Sequence, residues 1–442
     1  MNLSQILFLI LTIVALGLFS KKAKDIWRNI NLGKKKTFEG PKSKRWKNVL
    51  LLAFGQKKMF QRPIPAILHL FVYVGFVVIN IEMLEIVLDG ILGTHRLFSS
   101  SLGSAYAVLI NAFEILAFLV LAACVVFIIR RVILRIPRLV QGELKGWPKQ
   151  DALIILVTEI VLMACFLIMN AADFQLQQLN AEGYPSVGSF IVSGSFTGLL
   201  EGMSMESLIL LERSAWWIHI VGVFAFLNYL PYSKHLHIIL GFPNAYYARL
   251  EPMGELDNME NIQKEVLYMM EPDKMPTDAA PEDEMAKFGA KDVMDLSWTN
   301  LMDAYACTEC GRCTDVCPAN MTGKALSPRK IMMDTRDRLE EVGRNINQNK
   351  AFEDDGKSLL NDYITEEELR ACTTCNACVQ ACPVSIEPLD IIMQLRRYLI
   401  MEASSAPQEW NAMFSNIENN MAPWQFSPED RDKWTEDLNT PS

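Results

Sequence analysis

Histidine is scarce in this chain. Five occur in 442 residues, so any site built on imidazole can draw only on His69, His95, His219, His235 and His237. Cysteine is nearly absent before position 307, where Cys124 and Cys165 stand alone in apolar stretches and read as packing residues. Lysine and arginine are missing altogether from residues 171 to 206, which excludes that stretch from the inner side of a membrane. No basic segment precedes the first apolar run: MNLSQ is uncharged, and Lys21, Lys22, Lys24 and Arg28 come after it. A cleaved signal peptide is therefore not expected, and the run reads as an anchor with its N-terminus outside. The C-terminal part lacks the alternation of a half-buried strand, which leaves helix.

Apolar sequence and acidic charge are both present. Half of the residues are hydrophobic, yet the formal charge is -9, a mixture that one soluble globule rarely shows. Five runs are long enough to cross a bilayer, at about 3 to 20, 64 to 88, 103 to 129, 151 to 172 and 207 to 231, since a spanning helix needs about 20 residues. Residues 21 to 62 hold fourteen Lys or Arg against two acids, and 130 to 150 hold six against one. Basic loops stay inside, so everything after residue 232 is inside too. In the first inner loop, RWKNVLLLAFGQKK is too short and too charged at its ends to span, and reads as a surface helix. The expected class is an all-α membrane protein.

The composition changes after the fifth run. EPDKMPTDAAPEDEMAKF is too poor in apolar residues to fold alone, so residues 241 to 300 read as an acidic linker between a membrane domain, 1 to 240, and an inner domain, 301 to 400. Ser327-Pro328 and Thr365 with Glu368 are helix-start signals in that inner domain. Residues 401 to 442 form a polar tail.

ACTECGRCTDVCPAN at 306 to 320 is nearly repeated by ACTTCNACVQACPVS at 371 to 385. Cys307, Cys310, Cys313, Cys317 and Pro318, and again Cys372, Cys375, Cys378, Cys382 and Pro383, match the spacing that holds 4Fe-4S clusters in bacterial ferredoxins. Three thiolates at every third position wrap three corners of a cube, and the fourth serves the other cube. One set is then Cys307, Cys310, Cys313 and Cys382, and the other Cys372, Cys375, Cys378 and Cys317. Structural zinc is the alternative; it usually takes two CxxC pairs without the trailing Cys-Pro. The gap between the runs resembles the helical ferredoxins of heterodisulfide-reductase-like and fumarate-reductase iron-sulfur subunits, over residues 300 to 400.

His69 lies a turn or two inside the second run, His219 in the outer half of the fifth, and His237 at its inner mouth. Read as one helix, the eighteen residues between the last two make five turns and put both on one side, about 27 Å apart. HIVGVFAFLNYLPYSKHLHI resembles the fifth helix of the cytochrome b (gamma) subunit of respiratory nitrate reductase, a family whose five spans carry two bis-histidine haems. The resemblance implies His69 and His237 as ligands of an inner haem b. It implies His219 for an outer haem, but the second histidine that the family has about ten residues beyond His69 is absent from VVINIEML. His95 is the one remaining histidine on the correct side; it either completes that haem or is a solvated loop residue. His235 is a surface residue or an alternative ligand. The spans also carry Glu82, Glu85, Glu114 and Glu159, where charge is costly and a carboxyl pairs, stays protonated or handles protons. Glu82 and Glu85 are weak candidates for a quinone pocket, the alternative being buried pairing with groups such as Arg213.

Joined, the two halves resemble membrane-bound iron-sulfur oxidoreductases of the electron-transfer flavoprotein:menaquinone type. That resemblance implies a five-helix haem b bundle carrying a cytoplasmic two-cluster ferredoxin domain in a bacterial inner membrane. It implies a subunit passing electrons between a soluble flavoprotein and menaquinone. The family's cysteine-rich CCG repeats have no counterpart here, which implies a separate CCG subunit docking on the tail. The reverse direction, quinol oxidation feeding a cytoplasmic reductase, uses the same parts, and a redox sensor or scaffold without turnover is the reading from another class.

Overall fold

The computed structural model describes residues 2–275, 287–425, 427–436 and 438. Among them there are helices and two isolated bridges but no strand. Five helices are long and apolar enough to cross a membrane: α1 (Leu3–Ile30), α2 (Pro63–Leu92), α3 (Ser104–Ile128, continued as a π-turn to Ile133), α4 (Trp147–Gln178) and α5 (Met205–Tyr229, continued to Tyr232). Each begins where its sequence provides a start. Asn2 and Gln5 cap α1 reciprocally, Pro63 occupies the first turn of α2, and Ser204 accepts the Ser207 N–H of α5.

Neighbours in sequence are neighbours in space, and α1 closes the ring by packing against both α2 and α5. The bundle core is aromatic and aliphatic. Phe8 of α1 is fully buried against Trp216 and Phe224 of α5, while Ile110 and Phe113 of α3 and Phe166 of α4 fill the centre. Leu7, Ile10, Ile13 and Val14 of α1 point outward, as a lipid-facing surface requires.

The fifth span is not one helix as far as His237. Pro231 lacks the amide hydrogen a continuing helix needs, and the chain passes through a turn at Leu230–Tyr232 to an extended Ser233. The Ser233 hydroxyl caps a second turn at Lys234–Leu236, and α6 (His237–Tyr247) then starts afresh. The expectation of five continuous turns from His219 to His237 is thus corrected. The basic stretch of the first inner loop forms a helix at Lys42–Asn48 and a π-turn at Val49–Phe54, which lie against α6 through Trp46 with Tyr246 and Phe54 with Phe242.

Beyond α7 (Glu260–Met270), α8 (Trp298–Ala306), α9 (Pro328–Asn349) and α10 (Pro388–Arg397) frame the water-side domain, and α11 (Gln408–Asn420) lies in the tail. Ser327 caps α9 and Thr365 exchanges capping bonds with Glu368, as the sequence signals imply. The linker is shorter than expected. Ala290, Val293 and Leu296 enter the domain core, and residues 34 and 296–298 exchange backbone bonds of 2.7 and 3.1 Å, so few apolar residues among many acids suffice to fold that end. Most of the acidic segment, residues 276 to 286, lies outside the described residues. α1 runs on into the same core: Ile26 and Ile30 belong to it, Asn29 donates to the Tyr305 hydroxyl at 3.0 Å, and Lys22 pairs with Glu340 at 2.9 Å.

Candidate redox site

The first cysteine loop follows α8 directly. Ser297 and Asn300 cap that helix, which ends at Ala306 so that Cys307 opens in extended conformation. Glu309 and Gly311 then take left-handed backbone, turning the chain so that Cys307, Cys310 and Cys313 converge. The second loop repeats this with Thr374 and Asn376 left-handed. The strongest thiol neighbours of Cys313 are Cys310, Cys307 and Cys382, whereas those of Cys378 are Cys372, Cys317 and Cys375. Cys382 thus lies near the thiols of the first loop and Cys317 near those of the second. Among the described residues no group of three or more His, Cys, Asp or Glu closes tightly enough for a single metal ion. Two runs of four thiols, each with a trailing Cys-Pro, suit a pair of cubane clusters, each of which takes four thiolates. Backbone amides of Thr374 and Ile386 lie 3.4 and 3.3 Å from the sulfurs of Cys372 and Cys382, the sort of contact that tunes a bound cluster.

The rings of His69 and His237 face each other with centroids 6.3 Å apart. Two imidazole-to-metal bonds of about 2 Å plus the two half-rings make roughly 6 to 6.5 Å, which the spacing of these two rings matches. Each Nδ1 is tied back, to Gln56 Oε1 at 3.1 Å for His69 and to the Lys234 carbonyl at 3.0 Å for His237. Both rings are thereby fixed in the tautomer that offers Nε2 as a ligand. His235 lies beside them, 5.7 Å from His237 and 5.2 Å from Phe226, buried and with no ring hydrogen bond among the described residues. His219 donates Nδ1–H to the Leu162 carbonyl at 2.9 Å, deep in the bundle. His95 is elsewhere: it meets Tyr184 edge-on with centroids 4.9 Å apart and stands 3.4 Å from Asp173. The structure brings His69 and His237 together and does not bring His95 to His219.

Glu82 and Glu85 belong to a buried polar cluster around Arg96. Arg96, only 5% exposed, reaches Asp173 at 2.8 Å, Asn170 at 2.7 Å and Glu82 at 3.4 Å. Glu85 accepts from the Tyr106 hydroxyl and the Phe98 amide, both at 2.7 Å. The ionic partner of Glu82 is Arg96, not Arg213, whose guanidinium pairs with Glu212. Glu114 is held by Asn170 and the amides of Val192 and Ser193, whereas Glu159 has no hydrogen-bond or ion-pair partner among the described residues.

A second ionic chain joins the two halves. Glu309, between the first two cysteines, pairs with Lys234 and with Arg336 at 2.8 Å, and Lys234 also approaches Asp151 at 3.7 Å. Burial alone would raise the Glu309 carboxyl, but the two cations outweigh it and hold its pKa low. Lys234 thus links the first cysteine loop to the carbonyl that orients His237.

The chain matches the family model of the 4Fe-4S dicluster domain over residues 306–386. It is 30% identical to the probable iron-sulfur-binding oxidoreductase FadF of Bacillus subtilis, over 98% of this chain and 61% of that one. Over nearly its whole length the chain is thus similar to an iron-sulfur-binding oxidoreductase. It is also 26% identical to the EtfAB:quinone oxidoreductase of Syntrophomonas wolfei, over 88% of this chain and 53% of that protein. A probable membrane-anchored ferredoxin of Chromohalobacter salexigens shares 30% identity over 36% of this chain and 26% of its own. The chain thus spans 61% and 53% of the first two relatives' lengths. No solved structure matches it. The dicluster-domain match supports two 4Fe-4S clusters, and the likeness to oxidoreductases supports an electron-transfer role.

Sequence reasoning missed Gln56, Arg96, Lys234 and Glu309. Gln56 leaves one signal: it is a non-glycine residue with φ of 48° yet only 5% exposed, a strained placement of the sort found at functional sites.

Proposed function

We propose that this chain passes electrons from a reduced electron-transfer flavoprotein to menaquinone in a bacterial inner membrane. When bound, two 4Fe-4S clusters and one haem b supply single-electron carriage. In this reading Cys372, Cys375, Cys378 and Cys317 hold the outer cluster, and Cys307, Cys310, Cys313 and Cys382 the one near the bundle. His69 and His237 hold the haem. The observation that carries the reading is the 6.3 Å imidazole pair with both Nδ1 atoms tied back. Two others support the order of sites. Cys375 is exposed, whereas Arg312, inside the other loop, donates to the Lys58 and Met59 carbonyls at the foot of the His69 helix. The name of the Syntrophomonas relative supports the two end reactants.

Gln56 and Lys234 fix the ring planes, the bundle excludes water, and Glu309 ties the first cysteine loop to His237. A CCG-type iron-sulfur protein is the proposed soluble neighbour. Trp410, Phe414 and Ile417 form an exposed stripe on α11, anchored where Trp410 meets Arg370, two residues before Cys372. Recovery of the tagged chain without such a protein from its native membrane counts against that partner. For the main reading, the purified protein is reduced with dithionite and then given a menaquinone analogue. A reduced haem b band that the quinone reoxidises is expected. Absence of the band, or of reoxidation, overturns the reading.

A further inference from the structure

The two cysteine quartets sit in unlike electrostatic surroundings. Around the quartet nearer the bundle stand three cations without a carboxylate partner among the described residues. Lys58 gives its ammonium to Ser385 Oγ at 3.1 Å and the Val379 carbonyl at 3.4 Å, three residues to either side of Cys382. Arg312, 4% exposed between Cys310 and Cys313, gives its guanidinium only to backbone carbonyls. Arg138, 7% exposed, packs on Gly311, where a Cβ would stand 2.9 Å from its carbonyl oxygen, and its Nε has no acceptor. The thiols of Cys310 and Cys382 are the sulfur groups these cations feel.

The other quartet has one such neighbour. Arg396 donates to the Cys372 carbonyl at 2.6 Å, while the helix leading into that loop opens on Glu366, Glu367 and Glu368. Cys375 is open to water. Reduction of a bound cluster adds one negative charge. A buried unpaired cation stabilises that charge strongly, because little solvent screens the pair. Water at Cys375 works in the opposite sense by hydrating added charge, but it does so at one edge only.

Resting on the proposed function above, we propose that Lys58, Arg138 and Arg312 raise the reduction potential of the site at Cys307, Cys310, Cys313 and Cys382 above that at Cys372, Cys375, Cys378 and Cys317. One electron leaving the outer site, which is thereby oxidised, then reduces the inner site downhill. This built-in slope favours passage of an electron from the outer site toward the membrane. The electron itself comes from the reduced flavoprotein.

The test is a redox titration of the full-length protein in detergent, followed by electron paramagnetic resonance, with iron and sulfide counted per chain. Two waves are expected in the parent protein. Lys58→Met and Arg138→Met should each move the upper wave to more negative potential and leave the lower in place. Arg396→Met should move only the lower one. Arg312→Lys, which keeps the charge, should leave both unmoved. The idea is overturned if the wave moved by Lys58→Met lies below the one moved by Arg396→Met, or if neither Lys58→Met nor Arg138→Met shifts a wave at full iron content. A variant that loses iron is replaced by Lys58→Gln, to which the same criteria apply. Loss of the haem band or of quinone reactivity leaves these waves as they are, so failure of the wider reading is seen separately.

Discussion

Replacing Glu309 by alanine should loosen the joint between the two halves of the molecule. Glu309 is 2% exposed and faces two cations, Lys234 at 9% and Arg336. Removing one partner of a buried pair costs about 3 to 5 kcal/mol, mostly because the remaining charge stays buried and unpaired. Here Lys234 keeps Asp151 at 3.7 Å and the Pro148 carbonyl at 2.7 Å, and Arg336 keeps Asp337 at 3.2 Å. The lower end, about 3 kcal/mol, is therefore expected. The backbone supplies an internal control. Glu309 has φ of 53°, a conformation costing a residue with a Cβ about 1 kcal/mol or more relative to glycine. Glu309→Gly should thus be less damaging than Glu309→Ala by about that amount. Thermal unfolding of the full chain in detergent measures both, and haem content reports whether the Lys234 carbonyl still orients His237. Equal stability of the alanine variant and the parent, within about 0.5 kcal/mol, refutes the reasoning.

Three further outcomes follow from the same geometry. His69→Ala and His237→Ala should each abolish the haem b band while the iron-sulfur resonances persist, whereas His95→Ala should leave the band intact; loss of haem in the last would return His95 to the ligand set. Arg96→Met, by stripping Asp173 and Glu82 of their buried partner, should cost about 3 kcal/mol or more in thermal unfolding. Asp303 is buried, and desolvation first, then Glu387 and Asp390, raise its pKa to about 8. An acid raised in the folded state keeps its proton there while the unfolded chain loses it. Stability should therefore fall as pH rises from about 4 to 8, by at most about 1.4 kcal/mol per unit, and Asp303→Asn should flatten that fall; an unchanged slope in the variant disproves the assignment.

Local signals were legible in the sequence. Five long apolar runs, the basic inner loops and two cysteine runs of fixed spacing each depend on residues near one another in the chain. Long-range pairings were not. Arg96 looked like an ordinary loop residue, since its partners Glu82, Asn170 and Asp173 come from two different helices. Gln56 gave no motif, as nothing in a lone glutamine after Gly55 announces that it faces His69. The break at Pro231 was in plain view, but the eighteen-residue interval fitted whole helical turns so well that a continuous rod was the natural reading. The linker was drawn too long because composition averages over a window, and Ala290, Val293 and Leu296 are few among acids.

One unbroken helix, α1, starts in the apolar bundle and ends inside the core that surrounds the cysteine loops. It acts as a girder: the sulfur-bearing head cannot swing toward a distant partner and back, as a domain on a hinge would. Reactants must come to a stationary port, and spacing between the centres is a constant of the architecture instead of a variable of its motion.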